Sequence, residues 1–99
     1  MARFVQIIEY QSSKFDEMQK LSDEWRAATE GKRSTGRLTV CADRDRPNTY
    51  LVIAEFPSYE EAMRNNDLPE TGEFSGRMAA LADGAPTFRN LDVERVEEG

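Results

Sequence analysis

The stretch GRLTVCADRDRPNTYLVIAEFPSYEE, residues 36–61, decides the fold. Residues 36–42 (GRLTVCA) and 49–56 (TYLVIAEF) are rich in β-branched and aromatic side chains and read as two strands. Between them, residues 44–48 (RDRPN) form a charged turn around Pro47, so the strands make a hairpin with a longish loop. Ser58-Tyr59-Glu60-Glu61 follows directly. A Ser three residues ahead of a Glu is a capping box, in which the two side chains satisfy backbone N–H groups at a helix start. The centre of the chain is therefore strand, strand, helix.

Working outward, residues 3–10 (RFVQIIEY) read as a further strand. Ser13 with Asp16 three residues on predicts a helix start, and Phe15, Met18, Leu21, Trp25 and Ala28 form one apolar stripe that Gly31 ends. On the other side, the helix opened at Ser58 runs to about Asn66, because Pro69 pushes the residue before it out of helical geometry. A new helical stretch carries Phe74, Met78 and Leu81 on one face until Gly84-Ala85-Pro86 stops it. Residues 90–96 (NLDVERV) alternate and predict the last strand. The order β-α-β-β-α-β is the α+β, ferredoxin-like pattern, an antiparallel four-stranded sheet with strands in the order 4-1-3-2.

At 99 residues the whole chain, 1–99, is expected to form one domain with a thin core that a partner subunit would thicken. Thirteen Lys and Arg against nineteen Asp and Glu give a net charge of −6, which argues against nucleic acid or an anionic membrane as partner. The longest apolar runs, 50–54 and 78–82, are far too short to span a bilayer, and no charged-then-apolar leader opens the chain, so a cytoplasmic location is expected. There is no histidine, which removes His-based acid–base catalysis, Ser-His and Cys-His nucleophile pairs, and histidine metal ligation. The lone Cys41 excludes an intrachain disulfide and a Cys-rich zinc site, and reads as a small core hydrophobe.

Pairing the first strand against the third sets Val5 opposite Ile53, Ile7 opposite Leu51 and Arg3 opposite Glu55, the last a favourable cross-strand charge pair. The other face carries Phe4, Gln6 and Ile8 against Ala54, Val52 and Tyr50. Both faces are apolar, yet one layer of helices covers only one. An identical sheet is the simplest cover for the other, so a homodimer built through the sheet face is expected.

The chain resembles the antibiotic biosynthesis monooxygenase-like family of the dimeric α+β barrel superfamily. The resemblance extends along essentially all of it. It rests on the element order, on Glu55-Phe56 closing the third strand, and on Ser58-Tyr59-Glu60-Glu61-Ala62. Leu68-Pro69-Glu70-Thr71 before a helix ending Ala79-Ala80-Leu81, and the run 84–93 (GAPTFRNLDV), complete it. It implies a pocket in each subunit between sheet and helices. Members of this kind include oxygenases of polycyclic phenols that use no cofactor, and haem-degrading enzymes. Both place an Asn and a Trp from the second-helix region in the pocket, and the haem branch adds an axial histidine. With no histidine here, the resemblance excludes the haem branch; Asn66 is the counterpart of the Asn, and the second helix has no Trp.

Tyr59, Ala62, Met63 and Asn66 share a helical face by spacing, so Asn66 is expected among apolar side chains, bound either to a ligand oxygen or to loose backbone groups before Pro69. Trp25 either walls a flat aromatic ligand or is plain core. Gln6, Tyr10 and Tyr50 lie on one sheet face, where they can bond a ligand or reach water at the strand ends. Phe74 and Met78 would line the same space from the last helix. Arg77 and Arg89 are the cations best suited to a carboxylate or phenolate, unless they are simply solvated. Glu9 and Glu55 are the only carboxylates inside the first and third strands, so a general base would be one of them or the substrate's own phenolate. By resemblance, the site takes a small aromatic or polyketide-type metabolite and oxygenates it without metal or flavin. Asn66, Arg77 and Arg89 would be the catalytic groups; Gln6, Tyr10, Trp25, Tyr50, Tyr59, Met63, Phe74 and Met78 would bind substrate. Binding or cyclising a metabolite without oxidation, and a structural dimer with no catalysis, are the alternatives.

Overall fold

In the computed structural model, which describes residues 3–34 and 36–99, the β-branched and aromatic segments form β1 (Phe4–Gln11), β2 (Arg37–Ala42), β3 (Thr49–Phe56) and β4 (Thr87–Asp92). The amphipathic segments form α1 (Phe15–Ala28), α2 (Tyr59–Asn66) and α3 (Pro69–Leu81). The sheet is antiparallel with the order β2-β3-β1-β4, the expected ferredoxin-like arrangement. Ser58 caps α2 as its sequence predicts, its hydroxyl accepting from the Glu61 N–H at 3.2 Å. Pro69 occupies the first turn of α3, where its missing N–H is no loss.

Four local expectations need correction. The β1–β3 register is displaced by two residues: Ile7 faces Ile53, Val5 faces Glu55, and Glu55 finds its cation in Arg37 of β2 at 3.5 Å, not in Arg3. A two-residue slip leaves every side chain on its own face, so the alternation pattern cannot detect it. β4 starts at Thr87 and ends at Asp92, earlier than its alternating pattern indicates, because Phe4 opposite Asp92 is where β1 begins and the ladder runs out. Ser13 does not cap α1. Its N–H is held by the Asp83 carboxylate, while the Ser12 hydroxyl accepts from the Lys14 N–H and donates to the Leu81 carbonyl. Cys41 is half-exposed on the face without helices, not in the core.

The helices lie over the face that carries Phe4, Gln6, Ile8 and Tyr10. Tyr59 of α2 meets Phe4 edge-on at 5.3 Å between centroids, and Phe15 of α1 stacks on Tyr50 at 4.3 Å. Phe4, Tyr10, Met18, Leu21, Ala54 and Ala62 are buried there. The middle of the same face is not sealed: Gln6, Ile8 and Val52 stay half-buried, and Leu38 and Phe88 are exposed. The opposite, open face carries Val5, Ile7, Leu51, Ile53 and Leu91, with ion pairs at its ends, Arg37–Glu55 at one and Glu9 beside Arg46 (3.5 Å) and Arg89 (4.0 Å) at the other.

Two glycines are expected to respond oppositely to alanine. A Cβ on Gly36 would overlap the Glu55 carbonyl oxygen, which the backbone cannot move without loosening the start of β2. Gly36→Ala should destabilise by about 1–3 kcal/mol, the usual range for overpacking. Gly72 lies exposed within α3 with nothing near its Cβ position, so Gly72→Ala should stabilise by roughly 0.5–1 kcal/mol through backbone entropy. Thermal melts of the two variants at one protein concentration check both signs.

Candidate functional site

The amide expected inside the fold at Asn66 is at Asn65. Asn66 is exposed, whereas Asn65 is 7% exposed and its Oδ1 has no hydrogen-bond partner. The cause is the phase of a two-turn helix. With Ser58 fixed as the cap, the inward row of α2 runs Ser58, Ala62, Asn65, all buried, and Tyr59 and Met63 flank it, Tyr59 half-exposed at 51%. Two adjacent asparagines are indistinguishable by hydropathy; the capping frame was the signal that separates them.

Trp25 stands between α1 and α3. Its indole N–H donates to the Thr71 hydroxyl at 3.0 Å, Phe74 lies 5.6 Å from it between centroids, and the Arg33 guanidinium sits 5.8 Å above its ring. Thr71 is the acceptor that a half-buried indole needs, and only the packing of α3 on α1 brings it there. Trp25 and Phe74 border a groove of about 100 Å³ together with Leu21, Glu24 and Arg77. Arg77 pairs with Glu24 across the groove at 3.1 Å. Arg89 is on the open face, opposite Ile7 and beside Glu9, so the two arginines do not converge on one space. Glu9 and Glu55 are also on the open face, each beside an arginine. Met78 is half-buried on α3. A second cleft, of about 300 Å³, opens at the sheet edge between Arg3, Gly36, Arg37, Glu55 and Pro57.

Gln6, Tyr10 and Tyr50 are on the helix face, as expected. Gln6 donates from Nε2 to Asn90 Oδ1 at 3.0 Å and so is tied to β4. Tyr10 and Tyr50 are directly opposed across β1 and β3, with centroids 5.6 Å apart. Tyr10 is 6% exposed and its hydroxyl has no partner. Burial pushes the Tyr10 phenol above its ordinary value, and the neighbouring Tyr50 adds to the shift, so Tyr10 keeps its proton and is a donor at neutral pH. The helix–sheet layer thus holds two buried polar groups, an amide and a phenol, each with an unused hydrogen-bonding atom, beside an apolar floor that is not sealed. An unpaired buried polar atom costs about 1–3 kcal/mol and is rare, so each marks a place for a partner that the chain does not supply.

Among the described residues, no helix is long and apolar enough to cross a membrane. No family model matches the chain, and no curated protein matches it in sequence. Solved structures do match it in shape. A protein of Caulobacter crescentus provisionally named an antibiotic biosynthesis monooxygenase superposes with a TM-score of 0.81, at 13% identity over 95% of this chain and 92% of that one. SnoaB of Streptomyces nogalater, a cofactor-independent oxygenase, superposes with a TM-score of 0.79, at 15% identity over 97% of each chain. A conserved protein of Methanosarcina mazei does so with a TM-score of 0.79, at 13% identity over 92% of each chain. Likeness at such identities shows the fold. The chain has the ferredoxin-like fold of the antibiotic biosynthesis monooxygenase structures along nearly its full length.

Proposed function

We propose that this protein is a monooxygenase-like homodimer that takes a flat aromatic or polyketide-type molecule between its helices and sheet and oxygenates it without metal or flavin. The observation that carries the reading is Asn65, a buried amide on α2 whose Oδ1, an acceptor, has no partner in the fold and suits a hydroxyl proton of the substrate, in a chain that shares its fold with a cofactor-independent oxygenase. In such a reaction the phenolate form of the substrate supplies electrons to O2. One oxygen atom becomes a new carbonyl on the ring and the other leaves as water, so a phenol with a free ring C–H becomes a quinone. The protein's part is to orient the ring, exclude water and hold the charged oxygen by hydrogen bonds, which are worth most in a dry site. Asn65 takes the place first expected of Asn66. One chain is expected to be one domain, and a second copy to cover the open sheet face.

Binding without oxidation is the second reading. It is favoured by Arg77 being held to Glu24 and Arg89 lying on the opposite face, which leaves neither expected arginine beside the proposed site. Oxygen uptake with a hydroxynaphthalene separates the two. Wild-type protein should consume O2 above the uncatalysed background. Asn65→Ala should slow this by about ten- to a hundredfold, the equivalent of one lost hydrogen bond from a substrate hydroxyl, while Asn66→Ala leaves it unchanged. Tight binding of the phenol with no uptake would leave the non-oxidative reading. Neither binding nor uptake would leave a structural dimer.

A further inference from the structure

We infer that Tyr10 and Tyr50 form the polar end of the ligand site, a seat of two phenol donors for a carbonyl or oxyanion oxygen of the bound molecule. The inference rests on the reading that a ligand enters the helix–sheet layer, and it adds which part of that ligand is recognised and where. Tyr10 and Tyr50 are register partners on neighbouring strands, so their rings rise side by side from the same face. Phe15 stacks on Tyr50 at 4.3 Å and 19°, making a wall of three rings, Phe15, Tyr50 and Tyr10, that fixes both phenols in place.

The Tyr10 hydroxyl is enclosed by the fold and bonded to nothing in it. Phenylalanine would fill the same space without that cost, so the hydroxyl is retained at the expense of stability. A phenol is a donor and a weak acceptor, and burial keeps Tyr10 protonated, so the complementary group is an acceptor oxygen. Two phenol donors side by side can meet one oxygen between them, the arrangement that stabilises negative charge as it develops there, which is where a phenol being converted to a quinone carries it. The expected ligand is thus an aromatic ketone or phenolate whose oxygen lies at the Tyr10–Tyr50 end of the layer.

Acetonaphthone and ethylnaphthalene are nearly equal in size and differ in having or lacking an acceptor oxygen, so equilibrium dialysis of both against wild type and Tyr10→Phe isolates the seat. Wild type should prefer the ketone by about tenfold, the worth of one hydrogen bond in a dry site. Tyr10→Phe should bind the two within about twofold, and should melt at the same temperature as wild type or higher. A preference that survives in Tyr10→Phe, or a melting temperature several degrees lower, overturns the inference, because the hydroxyl then has another use. Wild type binding both compounds equally overturns the seat and leaves the ligand layer standing. Wild type binding neither overturns both.

Discussion

Ile7→Asp is expected to turn a dimer of twice the 11.3 kDa chain mass into a monomer at micromolar concentration, as measured by light scattering. Ile7 lies at the centre of the open face, opposite Ile53 on one side and Arg89 on the other, with Val5, Leu51 and Leu91 around it. The ion pairs of Glu55 and Glu9 lie at the ends of that apolar strip, so the face has a dry centre and a charged rim, as self-associating surfaces do. Two-fold symmetry would bring two copies of the new carboxylate into one interface, where the one cation opposite each, Arg89, is already beside Glu9. Desolvating two like charges in place of two isoleucines costs several kcal/mol, so the dissociation constant should rise at least a hundredfold. In the monomer the introduced side chain points into water and the helix layer is untouched, so the far-ultraviolet circular dichroism should not change. A wild-type mass of 11.3 kDa would remove the dimer from the proposal.

Met18→Ala should be the most damaging truncation within a subunit. Met18 is 1% exposed, on the inward row of α1 with Leu21. Removing its side chain deletes the buried thioether and leaves a cavity that a rigid helix and sheet fill only in part, at a cost of about 2–5 kcal/mol. That is a large fraction of the roughly 5–15 kcal/mol that holds a small protein together. Denaturant melts at one fixed concentration should show a midpoint shift with little change in slope. Met18→Leu, which keeps the volume, should lose less than about 1.5 kcal/mol. Equal losses in the two variants would mean that the sulfur, not the space it fills, is what matters.

The fold was legible wherever a signal was local. The bounds of β3, the Ser58 cap and the break at Pro69 each depend on a few adjacent residues, and each is where the sequence puts it. Strand faces were legible for the same reason, since alternation fixes which way Ile7 and Tyr10 point. What failed depends on distant chain. The offset of β1 on β3, the end of β4 and the loss of the Ser13 cap to Asp83 are all decided by residues far away in sequence. The site was legible in kind, an asparagine on the second helical region, but not in position, because Asn65 and Asn66 differ only in the phase of a helix two turns long. Nothing in the sequence foretold that Arg77 would be engaged by Glu24 or Trp25 by Thr71, since both pairings are created by α3 lying on α1.

The central place of β1 has a consequence for how the chain reaches this structure. Of these four strands it is the first to leave the ribosome, and it stands between β3 and β4, the last two of the four. Until they arrive, a segment apolar on both faces has neither of its hydrogen-bonded neighbours. The β2–β3 hairpin, by contrast, closes locally through the loop 43–48 and is free to form early. Assembly of the sheet therefore waits on long-range closure between the two ends of the chain, which is entropically slow and leaves β1 open to pairing with other nascent chains in the meantime. Slow refolding at low concentration, and losses to aggregation at high concentration, are built into this strand order.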